Sequence, residues 1–441
     1  MKIRRILSGI AAAVLMAAVV TGCGSAPATS QTGNDAGNAG NENAGNDAAK
    51  ETTITLWSIA TESDSFHTAY ADAIKDFETS HPGVKVVHET FENESYKTKI
   101  KSAVAANELP DVFYTWAGGF SQPFVDSGKV LDLTSYYGNY KEDLSEAAVA
   151  NITYDGKVYG STIVTPVSAM WYNQKIFKEN NLEAPATWDD FVNVCTTLKA
   201  AGVTPIATSA KDKWVLAMLH DGLTLKSVGP EKLQKTLLKQ GGSYSDPDFL
   251  LSAQKIKELS DIGAFIDGAA ALSNDEASAE FYAGKAAMYF TGSWMGGSIM
   301  TDAADPTDFS VAPIPVVNDK NAKLTDFMGG GADSLMVAAS TKDADLSAEF
   351  AFEVTKGISK YAYLSGAGIP AWKVNYDDST VPELTKKVTE YANSATSFTL
   401  WFDTLLESED ANEYLALLQK LYLGSITPED FQKEMAAQLE K

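Results

Sequence analysis

Residues 281–294, FYAGKAAMYFTGSW, restrict the possible folds more than any other stretch of the chain. Ala279, Phe281, Tyr282 and Ala286 keep the apolar stripe of a helix near its end. Ala287, Met288, Tyr289 and Phe290 then read as a short buried strand. Gly292 lets the chain turn with no side chain in the way, and Trp294 follows at once. In an open α/β sheet, a flat aromatic delivered just past a strand end lines a cleft; in a plain core it would only fill space.

The chain has 441 residues, too many for one ordinary core, so two lobes are expected. Its formal net charge is −23, and removing residues 1–22 takes away three cations and leaves about −26. Nucleic acid and anionic lipid need basic patches, so neither is expected as a direct partner. The acidity serves to keep a surface protein soluble. Of the two cysteines, Cys195 falls on the stripe Trp188, Phe191, Val192, Cys195, Leu198 and reads as a small buried hydrophobe.

Lys2, Arg4 and Arg5 precede an apolar run, Ile6 to Val20, too short for a stable membrane span. Residues 25–50 are rich in Gly, Asn, Ala and Ser, cannot bury a core, and read as a flexible tether. The folded part opens with Thr52 to Trp57, an alternating strand. Phe66, Tyr70, Ala73, Ile74 and Phe77 give a helix stopped by His81-Pro82-Gly83, and Val84 to Val87 give the next strand. Tyr96, Ile100 and Val104 point a second helix inward. Asp155-Gly156 is a turn, Thr187 can cap a helix with Asp190 answering it, and Leu346, Phe350 and Val354 mark a late helix. The last helix starts at Thr427, with Pro428 in its first turn and Glu429 and Asp430 against its positive end.

Several short motifs, in one order, resemble the extracellular solute-binding proteins of ABC transporters, family 1, the carbohydrate-binding branch that includes maltose-binding proteins. They are His81-Pro82-Gly83-Val84, Pro110-Asp111-Val112, Asp155-Gly156-Lys157-Val158-Tyr159-Gly160, Trp171-Tyr172-Asn173, Thr187-Trp188, Gly284-Lys285-Ala286-Ala287-Met288 with Gly292-Ser293-Trp294, and Gly368-Ile369-Pro370-Ala371. Val20-Thr21-Gly22-Cys23 resembles a bacterial lipobox.

The resemblance implies a periplasmic-binding-protein-like fold of type II, α/β, with two lobes joined by a multi-strand hinge. It places a signal peptide at 1–22, a lipid-anchored Cys23 with its tether at 23–51, lobe 1 at 52–163 plus 312–356, and lobe 2 at 168–308 plus 360–441. The crossings fall at 161–169, around Val311-Ala312-Pro313-Ile314-Pro315, and near 368–371. The implied protein acts as a monomer on the outer face of the cell membrane. It takes a sugar into the cleft and hands it to permease subunits, with no cofactor.

Sugars bind through ring faces stacked on aromatics and hydroxyls held by polar groups. Trp116 and Gly330 on one side, with Trp294 and Trp401 on the other, are the expected contacts. Trp214 either joins them or covers a helix top. Glu62, Ser63 and Asp333 are the polar candidates, each with ordinary solvated loop residue as the alternative. No catalytic residue is assigned. A glycosidase would need two carboxylates across a cleft, and an adhesin would share the anchor. The four histidines have no metal-ligand spacing, and there is neither a His-Glu-x-x-His motif nor a Gly-x-Ser-x-Gly elbow.

Overall fold

The computed structural model describes residues 52–440. The expected signal peptide, Cys23 and tether lie outside them. No helix among the described residues is long and apolar enough to cross a membrane.

Strand β1 (Thr52–Ser58) buries every second residue, Ile54, Leu56 and Ser58, as its alternation requires. Its helix, His67–Ser80, ends at His81, with Gly83 at φ 92° beyond it. Strands β2 (Val84–Thr90) and β3 (Val112–Trp116) then pair parallel on either side of β1. Asp155 and Gly156, both at positive φ, turn a small hairpin of β4 (Thr153–Tyr154) and β5 (Lys157–Val158). Strand β6 (Gly160–Thr162) leads out of the first lobe.

The second sheet holds β7 (Ser168–Asn173), β8 (Thr204–Ala207), β9 (Ala286–Gly292) and β10 (Phe309–Ala312), in the order β10-β7-β9-β8. All seven residues of β9 are buried, because helices cover both faces of this sheet. Met170, Met288 and Phe290 join one apolar cluster, and Trp171 and Tyr289 join the other. The strand begins a residue earlier than its apolar run suggests. Its helix, Asn274–Tyr282, starts from a Ser273/Glu276 capping box and stops short of Gly284, so Ala286 belongs to the strand.

Short β11 (Asp326–Met328) pairs with β13 (Ser397–Thr399), and between them in sequence β12 (Asp333–Val337) returns to the first sheet, giving the order β2-β1-β3-β12-β6. Around that sheet lies one cluster containing Leu56, Tyr70, Tyr96, Phe113 and Phe350. The result is a two-lobe α/β fold with three crossings between lobes. Val164 bridges Pro370 and Val167 bridges Gly329, so the crossing segments touch one another.

Two lobe boundaries differ from the sequence reading. Residues 312–328 stay with lobe 2: Ile314 and Met328 lie in its core, Val316 bridges Thr187, and the buried Lys226 ammonium donates to the carbonyls of Lys323, Leu324 and Asp326 at 2.9, 2.8 and 2.5 Å. The second crossing is therefore the glycine run 329–331. The third also shifts, since one helix, Ala344–Ser365, runs unbroken and keeps Ile358 and Ala362 in the lobe 1 core. Trp372 still packs there, and its N–H donates to the Thr162 carbonyl at 2.9 Å.

Candidate functional site

The wall on lobe 2 grows out of the end of β9. The Gly292 carbonyl accepts the Trp171 indole N–H at 3.2 Å, and Ser293 Oγ accepts the Val167 backbone N–H at 3.4 Å. Trp294 then folds back over its own strand. A Cβ on Gly292 would lie 2.0 Å from the Trp294 ring, so only glycine leaves room for that pose. Trp294 sits 6.3 Å from Trp214 and 6.1 Å from Trp401, each pair tilted by nearly 60°. Trp214 and Trp294 are half-buried. Trp401 is only 4% exposed, and its N–H donates to Ser168 Oγ at 2.8 Å. It closes the inner end of the row and backs Trp294, offering little face of its own.

The facing wall is set by register. Trp116, the last residue of β3, lies directly across the ladder from Asp333, the first of β12, so their side chains share a face. Trp116 is half-buried, with Tyr114 and Phe120 edge-on at 5.0 Å and Lys97 Nζ 5.4 Å above its ring. The Tyr114 hydroxyl donates to Asp333 Oδ1 at 2.5 Å, and Tyr96 donates to the Tyr114 carbonyl at 2.5 Å. Burial pushes the Asp333 carboxyl up to about 6, against the pull of the Tyr114 hydrogen bond.

Glu62 and Ser63 are exposed in the loop after β1. The carboxylate that this loop turns inward is Asp64, pinned by the Phe66 N–H at 2.8 Å. Burial, with Asp333 and Asp275 adding to it, pushes Asp64 up to about 7. The sequence reading passed over Asp64; an Asp two residues before an aromatic helix start is the pattern of an Asx turn and was the available signal.

The walls approach each other at two edges. A Cβ on Gly119 would lie 2.2 Å from the Leu406 carbonyl, and one on Gly297 would lie 2.9 Å from Ser65 Cβ. Charges also meet across the gap. Asp212 on lobe 2 is raised by burial, by Glu94 of the lobe 1 helix Asn93–Ala106 and by Glu92, which caps that helix. Burial raises Asp403 to about 6, with Lys97 of that helix opposing the rise.

The glycine run serves the hinge. The Gly330 N–H donates to the Pro166 carbonyl at 3.0 Å, and a Cβ on Gly329, at φ 149°, would lie 2.4 Å from that oxygen. Close backbone approach is thus realised against another crossing segment. Cys195 is buried, and burial lifts its thiol to about 12. Among the described residues, no three His, Cys, Asp or Glu side chains are grouped to hold a metal ion.

Comparison with known proteins agrees with this architecture. The chain is similar, at 34% identity and a TM-score of 0.84, to a structure from a study of xylan utilization by the thermophilic bacterium Caldanaerobius polysaccharolyticus, covering 88% of this chain and 99% of that one. It is 28% identical, over 75% of its length and 76% of the relative's, to an uncharacterized ABC transporter extracellular-binding protein of Pyrococcus horikoshii. It is 26% identical, over 71% of its length and 74% of the relative's, to the multiple sugar-binding protein of Streptococcus mutans. The profile of the bacterial extracellular solute-binding proteins matches residues 60–356, most of the chain, and with the two-lobe fold this makes the chain a member of that family of ABC transporter proteins.

Proposed function

We propose that this chain is the sugar-binding receptor of an ABC importer, taking an oligosaccharide between its lobes and delivering it to membrane permease subunits. The observation that carries the reading is the pair of facing walls: half-buried Trp294 and Trp214 on lobe 2 opposite Trp116 and Asp333 on lobe 1. Indole faces suit the C–H faces of sugar rings, and a flat ring pair contributes on the order of 0.5–1.5 kcal/mol. Asp333 and Asp64 offer acceptors for hydroxyls, fixed in direction by Tyr114 and by the Phe66 N–H. A row of two accessible indoles fits more than one ring, which favours an oligosaccharide. The name of the Streptococcus mutans relative and the xylan context of the structural neighbour support the same class.

The lipobox-like Val20-Thr21-Gly22-Cys23 supports processing at residue 22, lipid attachment to Cys23 and display outside the membrane on the tether. The chain itself performs no chemistry in this reading. Ligand closes the hinge only through better contacts in the closed form. Micromolar affinity would correspond to about −8 kcal/mol. Titrating the tryptophan fluorescence of residues 52–441 with mono- and oligosaccharides tests the assignment. Saturable binding that Trp294→Ala weakens is expected; binding unaffected by both Trp294→Ala and Trp116→Ala would refute the site.

A further inference from the structure

We infer that the aromatic cleft selects for uncharged sugars and rejects acidic ones, because carboxylates stand beside Trp116, Trp214 and Trp401, the last of which backs Trp294. This rests on the sugar-binding reading and adds a charge rule to it. Asp333 is register-paired with Trp116. Asp212 stands two residues before Trp214, held by the Asn274 N–H at 2.6 Å. Asp403 stands two residues after Trp401 and directly follows Phe402, whose N–H is bonded to Asp221.

The cations nearby, Lys97 toward Asp403 and Lys211 toward Asp212, offset these acids only in part. Lys97, over Trp116, is already paired with Glu94 at 2.8 Å. Lys101 is turned over Phe120 at 4.8 Å. A carboxylate on a bound sugar would enter a poorly solvated space beside groups of its own sign, whereas a hydroxyl would find acceptors. In such surroundings like charges a few ångströms apart repel far more strongly than in water.

The same acids make the discrimination depend on pH. Asp64 faces Asp333, Asp275 and His67; Asp403 faces Lys97, Asp221 and Glu94; Asp212 faces Glu94, Glu92 and Lys211. Burial leaves Asp64 at about 7 and both Asp333 and Asp403 at about 6. All three are therefore largely ionised at about pH 8 and largely protonated at about pH 5, while a sugar acid stays ionised at both.

The test is calorimetry on the full chain with cellotriose, maltotriose, raffinose and xylotriose at pH 8. Whichever of the hexose sugars binds is then compared with its derivative carrying one C6 carboxylate. If only xylotriose binds, a glucuronosyl-substituted xylotriose serves instead. The acidic ligand is expected to bind at least about tenfold more weakly at pH 8, with the ratio shrinking to within about threefold at pH 5. Asp403→Asn and Asp212→Asn are each expected to narrow the ratio at pH 8. Equal binding of both ligands at pH 8 overturns the inference while leaving the sugar-binding reading in place. A ratio unchanged at pH 5 overturns the role of these carboxylates, and failure of every sugar to bind overturns the reading and the inference together.

Discussion

Gly292→Ala is the smallest change that tests how Trp294 is held. The added Cβ would lie 2.0, 2.3 and 2.4 Å from three atoms of the indole, where ordinary contact begins at 3.4 Å. The ring must move by about 1.4 Å or more to clear it. It cannot retreat toward Trp401, which is 6.1 Å away and fixed by its bond to Ser168. The displacement therefore goes outward, and a sugar ring stacked on Trp294 loses its face. Losing one such stack costs about 0.5–1.5 kcal/mol, which is roughly a two- to twelvefold rise in Kd. The backbone at 292 is extended strand, where alanine is acceptable, so the melting temperature should change little. Calorimetric titration with the sugar that binds the parent chain gives Kd, and thermal unfolding checks the fold. The reasoning fails if Gly292→Ala binds within about 1.5-fold of the parent while Trp294→Ala loses tenfold, because the indole pose would then not depend on the bare glycine.

Trp401→Ala should destabilise the chain by about 3–5 kcal/mol, as for other buried aromatic truncations, whereas Trp401→Phe, which keeps a ring and loses the bond to Ser168, should cost about 1–2 kcal/mol; denaturant unfolding separates them. Cys195 in residues 52–441 should resist a thiol reagent at pH 8 and react fully once unfolded, since burial holds its thiol near 12. Burial lowers His220 to about 3 and raises its neighbour Asp221 to about 7. The unfolded chain then takes up the histidine proton below about 6.5, so that group makes stability rise with pH between about 3 and 6.5. The folded chain retains the aspartate proton that the unfolded chain releases above about 3.9, so that group makes stability fall as pH rises toward 7. The two slopes oppose one another, and His220→Gln should leave a chain that loses stability between pH 4 and 7, measured by denaturant titration at each pH.

Local pattern was enough for most of the elements. The alternation of β1, the stop at His81-Pro82-Gly83, the cap at Thr187 and the N-cap at Thr427 all stand where short-range chemistry puts them. Trp294 was read from its strand end and Trp116 from the resemblance, and both are half-buried. Destinations were less legible. Pro313 and Pro315 fix an extended segment, but extension does not say which lobe receives it. Ile314 enters lobe 2 so closely that a Cβ on Gly222 would lie 2.2 Å from it. The better signal was Lys226, one ammonium inside the apolar helix Lys213–Val228, which needs carbonyls and finds three on 323–326. Asp64, Asp212 and Asp403 were missed for a related reason. Fifty-eight acidic residues look alike in a sequence, and only burial separates those few.

The glycines and serines around the wall tie the site to the hinge. Ser168 accepts the Trp401 N–H through its hydroxyl and the Tyr391 hydroxyl through its carbonyl, and Ser293, one residue before Trp294, accepts the Val167 N–H. Val167 ends the first crossing and Ser168 opens β7, and Val167 also bridges Gly329 of the second crossing. A shift of Trp401 or of the backbone at Ser293 would act on these hinge bonds, because they share donors and acceptors one residue apart. A ligand that packs on Trp294 acts one residue from the Ser293 hydroxyl that holds the first crossing. Under the proposed sugar-binding function, this is how contact with a small ring would weigh on the angle between two lobes.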